Sequence, residues 1–350
     1  MNDDARRVRL IFHIGAGKTG TSSIQATLRA NREALLDAGY AYLGLMWEHA
    51  PVIVQGWQTF GGHDRFLSLP AESAVPQFRE VLQATVAYAR THGLHTLIWS
   101  SESFFDRYEN VLAPLAEIRE QGVDLEVLAW LRNHGSWSRS AYLQWGIKHK
   151  TMAGPVVPFR EWAARRRPVF GPTLRRYAEA LPGTLRVRNF DAAADVVEDF
   201  CHAVGMPVEL LAQRSRENAS PNDTELLMRA LFNSGVRAPM FPMVFDRQVG
   251  QYMVDEASAD SYLARLFPTD RDMEEVVAQT ASDRDAVSAL LTAQGQPPLS
   301  VPASSCRPPQ VNEDALLVAL AGLVMSFARR LDALEAATTT QAPKARASAG

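Results

Sequence analysis

The chain has 350 residues, 47% hydrophobic and 21% charged, enough apolar content and length to bury a sizeable core and too much to stay disordered. Its 36 Lys+Arg against 39 Asp+Glu leave a formal net charge of -3, which excludes the broad positive field of a non-specific nucleic-acid binder. Cys201 and Cys306 lie far apart and match no metal-ligand spacing, so a disulfide framework is excluded and a reducing, cytoplasmic setting is expected.

The first apolar run is short and broken by Arg9, so no secretory signal is expected there. Val8–Ile14 is β-rich and stops at Gly15, the pattern of a buried strand. From Thr21 to Asp37 the spacing turns helical, with Ile24, Leu28 and Leu35 on one face and Gly39 as terminator. A short strand is expected at Tyr40–Leu43, then a long loop over Pro51–Pro70, lying over a site.

A helix over Ala74–His92 ends at Gly93, and the strand His95–Trp99 runs into the polar cluster Ser100, Ser101, Glu102. The helix Val111–Gln121 leads to the apolar strand Leu125–Leu131, which runs into Arg132 and a helix over Ser136–His149. Thr184–Val187 then reads as a strand and Ala192–Val204 as a helix. Strands alternating with helices imply an α/β fold, with a parallel central sheet flanked by helices.

After Ser220 the pattern is helical, without another buried strand. Prolines at 297, 298, 302, 308 and 309 mark the segment Gln294–Gln310 as an extended linker or surface crossing, followed by a final helix over Asp314–Ala337. The longest apolar stretch, Ala315–Ala328, is about half a membrane span, so no span is expected. The expected organisation is an α/β core over 1–219, a mainly helical C-terminal extension over 220–337 packed on it, and a disordered tail over 338–350. Whether the last helix packs on the domain or on a second chain, as in a homo-oligomer, stays open.

The sharpest motif is Gly15-Ala16-Gly17-Lys18-Thr19-Gly20-Thr21-Ser22-Ser23, between the first strand and the first helix. Glycines let backbone approach a ligand closely, and first-turn N–H groups sit at the positive end of the helix dipole. Lys18 adds a charge, and Thr19, Thr21 and Ser22 add hydroxyl donors. The plain alternative is a capped strand–helix turn, but a lysine inside it and hydroxyls behind it favour a phosphate or sulfate site. A Walker A loop is a poor match, because its first glycine would fall on Phe12.

These residues resemble the P-loop sulfotransferases, which move the sulfuryl group of 3′-phosphoadenosine-5′-phosphosulfate (PAPS) to an acceptor. Lys18-Thr19-Gly20-Thr21-Ser22 matches the family's 5′-phosphosulfate loop, with Gly17 before it. Arg132, at the end of a strand, and Ser140, eight residues on, match its 3′-phosphate pair. Arg186-Val187-Arg188-Asn189-Phe190 with the following helix is a weaker likeness, and the whole resemblance spans about residues 8–205. The small-molecule members have Trp directly after the loop hydroxyls; Ser23 stands here, as in the carbohydrate-type members.

The resemblance implies a PAPS site with adenosine 3′,5′-bisphosphate as product, no metal, Lys18 at the leaving oxygen, and a hydroxyl or amine acceptor. Glu102, after a buried strand, is the expected base, since a partly desolvated carboxylate is tuned towards working pH. Its plain alternative is a carboxylate at a helix N-terminus. Arg132 has its own rationale, because a guanidinium at a strand's carboxyl edge grips phosphate bidentately. Ser138 is the fallback for Ser140.

His13 reads as a satisfied core residue, His63 as a surface loop residue, and His134 as a weak candidate phosphate contact. Arg165, Arg166, Arg167, Arg175 and Arg176 read as a solvated face before a glycan-receiving one. Trp47, Trp57, Phe60, Phe104, Phe105 and Tyr108 read as core before acceptor pocket. The expected partner is a small-molecule or glycan acceptor, not nucleic acid. Two other functions stay open: an Mg²⁺-dependent P-loop kinase or NTPase, and a non-catalytic nucleotide-binding member of the fold.

Overall fold

The computed structural model describes residues 7–214, 223–234, 238–243 and 265–301, with single positions at 306, 313, 316, 320, 327, 330, 331 and 334. The final helix expected over Asp314–Ala337 lies almost wholly outside the described residues, and the tail over 338–350 lies entirely outside them.

Five strands, β1 (Arg9–His13), β2 (Tyr40–Gly44), β3 (Thr96–Ser100), β4 (Asp124–Leu131) and β5 (Leu185–Asn189), form one parallel sheet in the order β2-β3-β1-β4-β5. β1 to β4 are mainly apolar and buried, as a sheet covered on both faces requires, whereas the edge strand β5 alternates Leu, Arg, Val, Arg and Asn. Leu10 and Phe12 of β1, Leu97 and Trp99 of β3, and Leu125, Val127 and Leu131 of β4 point to one face. Ile11, Ile98, Leu128 and Trp130 point to the other. Phe12 stacks on Trp99 at 4.0 Å, fixing the β1–β3 register from the side chains.

The helices α1 (Thr21–Ala30) and α2 (Arg32–Asp37) follow β1, and α3 (His63–Leu67) and α4 (Ala71–His92) follow β2. Then come α5 (Glu109–Glu120), α6 (His134–Ala141), α7 (Phe159–Arg165), α8 (Gly171–Ala180) and α9 (Val196–Val204). α4, α5 and α8 cover the first face, through Phe78, Val81, Leu115 and Tyr177 among others. α1 and α9 cover the second, through Ile24, Leu28, Val197 and Phe200.

The chain divides into two compact units. The first comprises residues 1–138, 167–219 and 276–303 and holds the sheet; the second comprises 139–166, 220–275 and 304–350. The single boundary expected near residue 219 is therefore replaced by an interleaved one. In the second unit α10 (Asp223–Ser234) is tied to a π-helical turn (Tyr142–Lys148) by Asn233, whose amide donates to Ile147 O. Tyr142 packs there against Phe159 and Trp162 of α7, and Lys150 pairs with Met240 in an isolated antiparallel bridge.

Four expectations change for identifiable reasons. The single helix over Thr21–Asp37 breaks at Asn31, whose backbone turns to φ −107°, ψ 18° and whose side-chain amide donates to Thr27 O and Gln213 O. The helix over Ser136–His149 stops as α-helix at Ala141 and continues as the π turn, where Gly146 packs on the Tyr142 ring. The helix over Ala192–Val204 starts only at Val196, capped by Asp195, which accepts from Val197 N and Glu198 N. The loop over Pro51–Pro70 contains α3 and packs Trp57 and Phe66 into the α4-side core.

Of the two readings of the proline-rich stretch, 294–301 is the surface crossing and not the free linker. It follows α11 (Asp270–Gln279) and α12 (Ala281–Ala293) and runs along the edge of β5. Gln294 bonds Val187 N and Leu185 O, and Asn189 donates to Pro297 O and Pro298 O. The last strand's open edge is satisfied by side chains, as an edge strand needs.

Candidate functional site

Parallel sheets bind ligands beyond the carboxyl ends of their strands, where neighbouring crossovers leave in opposite directions. Here β1 connects to β2 on one side and β4 to β5 on the other, so that point lies between the ends of β1 and β4. Those two ends carry the Lys18 loop and Arg132.

The loop backbone is unusual. Gly15, Gly17, Lys18 and Gly20 all have positive φ, at 40°, 62°, 53° and 80°. For lysine that region costs about 1–2 kcal/mol, and strain of this kind at a non-glycine marks ligand clamps. Gly20 is required for a second reason: a Cβ there would meet Val196 Cγ1 at 2.7 Å.

Side chains hold the loop's carbonyls. Trp137 Nε1 donates to Ala16 O at 2.9 Å and Gly17 O at 3.1 Å, and Arg132 Nη1 reaches Lys18 O at 3.4 Å. α1 opens at Thr21 with no side-chain cap and no acidic residue in its first turn. Its positive end is thus left for an anion. Thr19 and Thr21 are buried, and neither Oγ1 has a hydrogen-bond partner among the described residues; Lys18 and Ser22 are half-buried.

Arg132 stands beside this loop, though it is not idle. Its Nε lies 3.4 Å from Asp191 Oδ1, and its guanidinium carbon sits 5.3 Å from the centre of the Phe190 ring. Asp191 in turn accepts from Asn133 N at 2.7 Å, fixing the turn after β4. Ser140 belongs to the second compact unit and is half-buried. Ser138, in the first unit, is fully buried with an unpartnered Oγ.

Glu102 begins a 3₁₀ turn (Glu102–Phe104) directly after β3 and Ser101, at the same sheet edge. Gln25 of α1 donates to Glu102 Oε2 at 2.8 Å and to Ser100 O at 3.2 Å. One buried amide thus ties the candidate base to the helix that opens at the Lys18 loop.

The histidines sort differently from expectation. His13 is fully buried and pushed down to about 3 by that burial, so its ring is neutral. Its Nδ1 meets Ser100 Oγ at 2.9 Å, but its Nε2 has no partner, so it is not a satisfied core residue. His134 is held through Nε2, which meets Asp283 Oδ2 at 2.8 Å, and Asp283 also accepts from Phe170 N and Gly171 N. His63 opens α3, beside Asp64 at 3.3 Å.

Trp47, Trp57, Phe104 and Phe105 are core, whereas Phe60 is exposed with Arg29 over its ring. The five arginines at 165–167, 175 and 176 are all exposed, a solvated surface. A cavity of about 430 Å³ lies between α5 and α8, on the sheet face opposite α1, lined in part by Tyr108, Glu109, Arg176 and Glu179. It does not include the loop.

Sequence reasoning missed Ser100, Gln25, Trp137 and Asp191. Ser100 was visible as the residue in register with His13 once β1 and β3 were paired; the others act across elements whose contact no spacing announces. Among the described residues no group of three or more His, Cys, Asp or Glu is placed to hold a metal, and no helix is long and apolar enough to cross a membrane. Comparison with protein-family models, curated proteins and solved structures returns no match to this chain.

Proposed function

We propose that the chain is a sulfotransferase that takes its sulfuryl group from PAPS and transfers it to a hydroxyl or amine of a carbohydrate-like or small-metabolite acceptor. One observation carries the reading. A strained, lysine-bearing loop opens an uncapped helix beside Arg132, between strand ends where crossovers diverge, with two buried threonine hydroxyls left unpaired.

Gly17, Lys18, Thr19, Gly20, Thr21 and Ser22 would hold the 5′-phosphosulfate, and Arg132 the 3′-phosphate. Bound PAPS would supply the sulfuryl group and leave as adenosine 3′,5′-bisphosphate. Lys18 neutralises charge on the departing oxygen, as preorganised cations do in group transfer. Glu102 accepts the acceptor's proton, and Gln25 at 2.8 Å holds the carboxylate in line for it. Arg132 is oriented by Asp191 and Phe190, so its fork is set before a phosphate arrives.

An ATP–Mg²⁺ enzyme has less support. The position its loop requires as glycine is Phe12, fully buried and stacked on Trp99 at 4.0 Å. The test is a screen of sugar, phenol, alcohol and amine acceptors with ³⁵S-labelled PAPS. A labelled product that depends on Lys18 supports the reading, and nucleotide binding without any product would replace it with a non-catalytic one.

A further inference from the structure

Three buried polar atoms gather at one point of the loop. His13 Nε2, Thr19 Oγ1 and Thr21 Oγ1 are each shielded from solvent and have no hydrogen-bond partner. A Cβ on Gly15 would lie 3.3, 3.6 and 2.6 Å from them respectively, so all three surround the same Cα. Buried polar atoms in native proteins are nearly always paired, and three orphans gathered around one glycine indicate a shared task.

The far side of the His13 ring is already fixed. Nδ1 meets the hydroxyl of Ser100, its register partner on β3, at 2.9 Å. Packing against Trp130 and Phe200 keeps the ring out of water and uncharged. A neutral imidazole carries one proton, and the partner of one nitrogen decides which nitrogen holds it.

We propose that Ser100, His13, Thr19 and Thr21 form an uncharged relay beneath the phosphate loop, in which His13 directs the threonine hydroxyl protons towards a bound tetrahedral oxyanion. Ser100 O–H donates to Nδ1, which leaves the ring proton on Nε2. Nε2–H, which has no partner among the described residues, would then be the donor for a threonine oxygen, Thr21 being nearest the shared point. With that lone pair engaged, the hydroxyl's own proton is free for the anion. The opposite tautomer would draw the hydroxyl proton away from the ligand. A charged histidine would serve worse, since both ring nitrogens would then donate and Ser100 could no longer set the direction. His13 acts through the threonines and is therefore a positioning residue.

The relay rests on the anion site proposed above, so the experiment separates the two. ¹⁵N-histidine NMR of the full chain should show His13 protonated at Nε2 alone, with its shifts moving on saturation with adenosine 3′,5′-bisphosphate. His13→Gln, which keeps a donor near the Nε2 position, should bind the bisphosphate within about threefold of the parent. His13→Phe should bind roughly tenfold more weakly, the effect of about one hydrogen bond. Should His13→Phe not fold, Ser100→Ala serves instead, with a mixed tautomer and weaker binding expected. A proton on Nδ1, or His13→Phe binding as tightly as the parent, overturns the relay. If the parent chain does not bind the bisphosphate, the site reading fails, and the tautomer alone still decides the relay.

Discussion

His13 and Ser100 face each other in register on adjacent parallel strands, and His13 Nδ1 lies 2.9 Å from Ser100 Oγ. The contact joins the strand that feeds the Lys18 loop to the strand that ends before Glu102, inside a core closed by Trp130 and Phe200.

Burial of this imidazole has a measurable cost in acid. The native ring is held at about 3, whereas an unfolded histidine titrates near 6.5. Between those values the unfolded state binds a proton that the native state refuses, so stability falls as pH is lowered through that window. Removing the ring should flatten the dependence by up to about 1.4 kcal/mol per pH unit. Urea unfolding of the parent and His13→Gln across roughly pH 4–7 reads this directly. Parallel curves would contradict a buried neutral His13.

Asp283 should matter for stability and not for the ligand. Burial works to raise its pKa, but hydrogen bonds from His134, Phe170 N and Gly171 N prevail and hold it below the usual carboxylate value. Its contribution is therefore complete above the unfolded value of about 4 and is lost as pH falls below it. Asp283→Ala leaves these donors buried without an acceptor and should cost about 2–4 kcal/mol, read as a lower melting temperature at neutral pH. Bisphosphate affinity of the folded fraction should be unchanged; a selective loss of affinity would return His134 to the binding site.

Glu102→Gln keeps the length and one hydrogen-bonding oxygen near Gln25 but cannot take up a proton. Bisphosphate affinity should be retained while sulfuryl transfer falls by roughly 10²–10⁴. Equal turnover in the variant would remove Glu102 as the base.

The sheet was legible because each buried strand is a compact apolar run closed by glycine or a polar cluster, and Gly15, Gly93 and Gly122 mark ends that the structure keeps. That Lys18, Glu102 and Arg132 lie at the carboxyl edge of the sheet was legible for the same reason, since each follows such a strand. What escaped depends on side chains acting at a distance. Asn31 stops a helix to hold Gln213, Gln294 and Asn189 bind a proline-rich segment to β5, and Asp283 claims His134 from 149 residues away. Periodicity reports which face an element buries, not which polar atom finds a partner. For that reason His13 read as core, while its unpartnered nitrogen emerged only with the loop folded around it.

The most direct measurement is a pair of calorimetric titrations of the intact chain, with adenosine 3′,5′-bisphosphate in the absence of metal and with ATP–Mg²⁺. The bisphosphate should bind the more tightly, and Arg132→Ala should weaken it by roughly 10–150-fold, the loss of a charge-assisted contact of about 1.5–3 kcal/mol. Tighter binding of ATP–Mg²⁺, or bisphosphate binding indifferent to Arg132, would contradict the assignment of this loop to a 3′-phosphorylated sulfuryl donor.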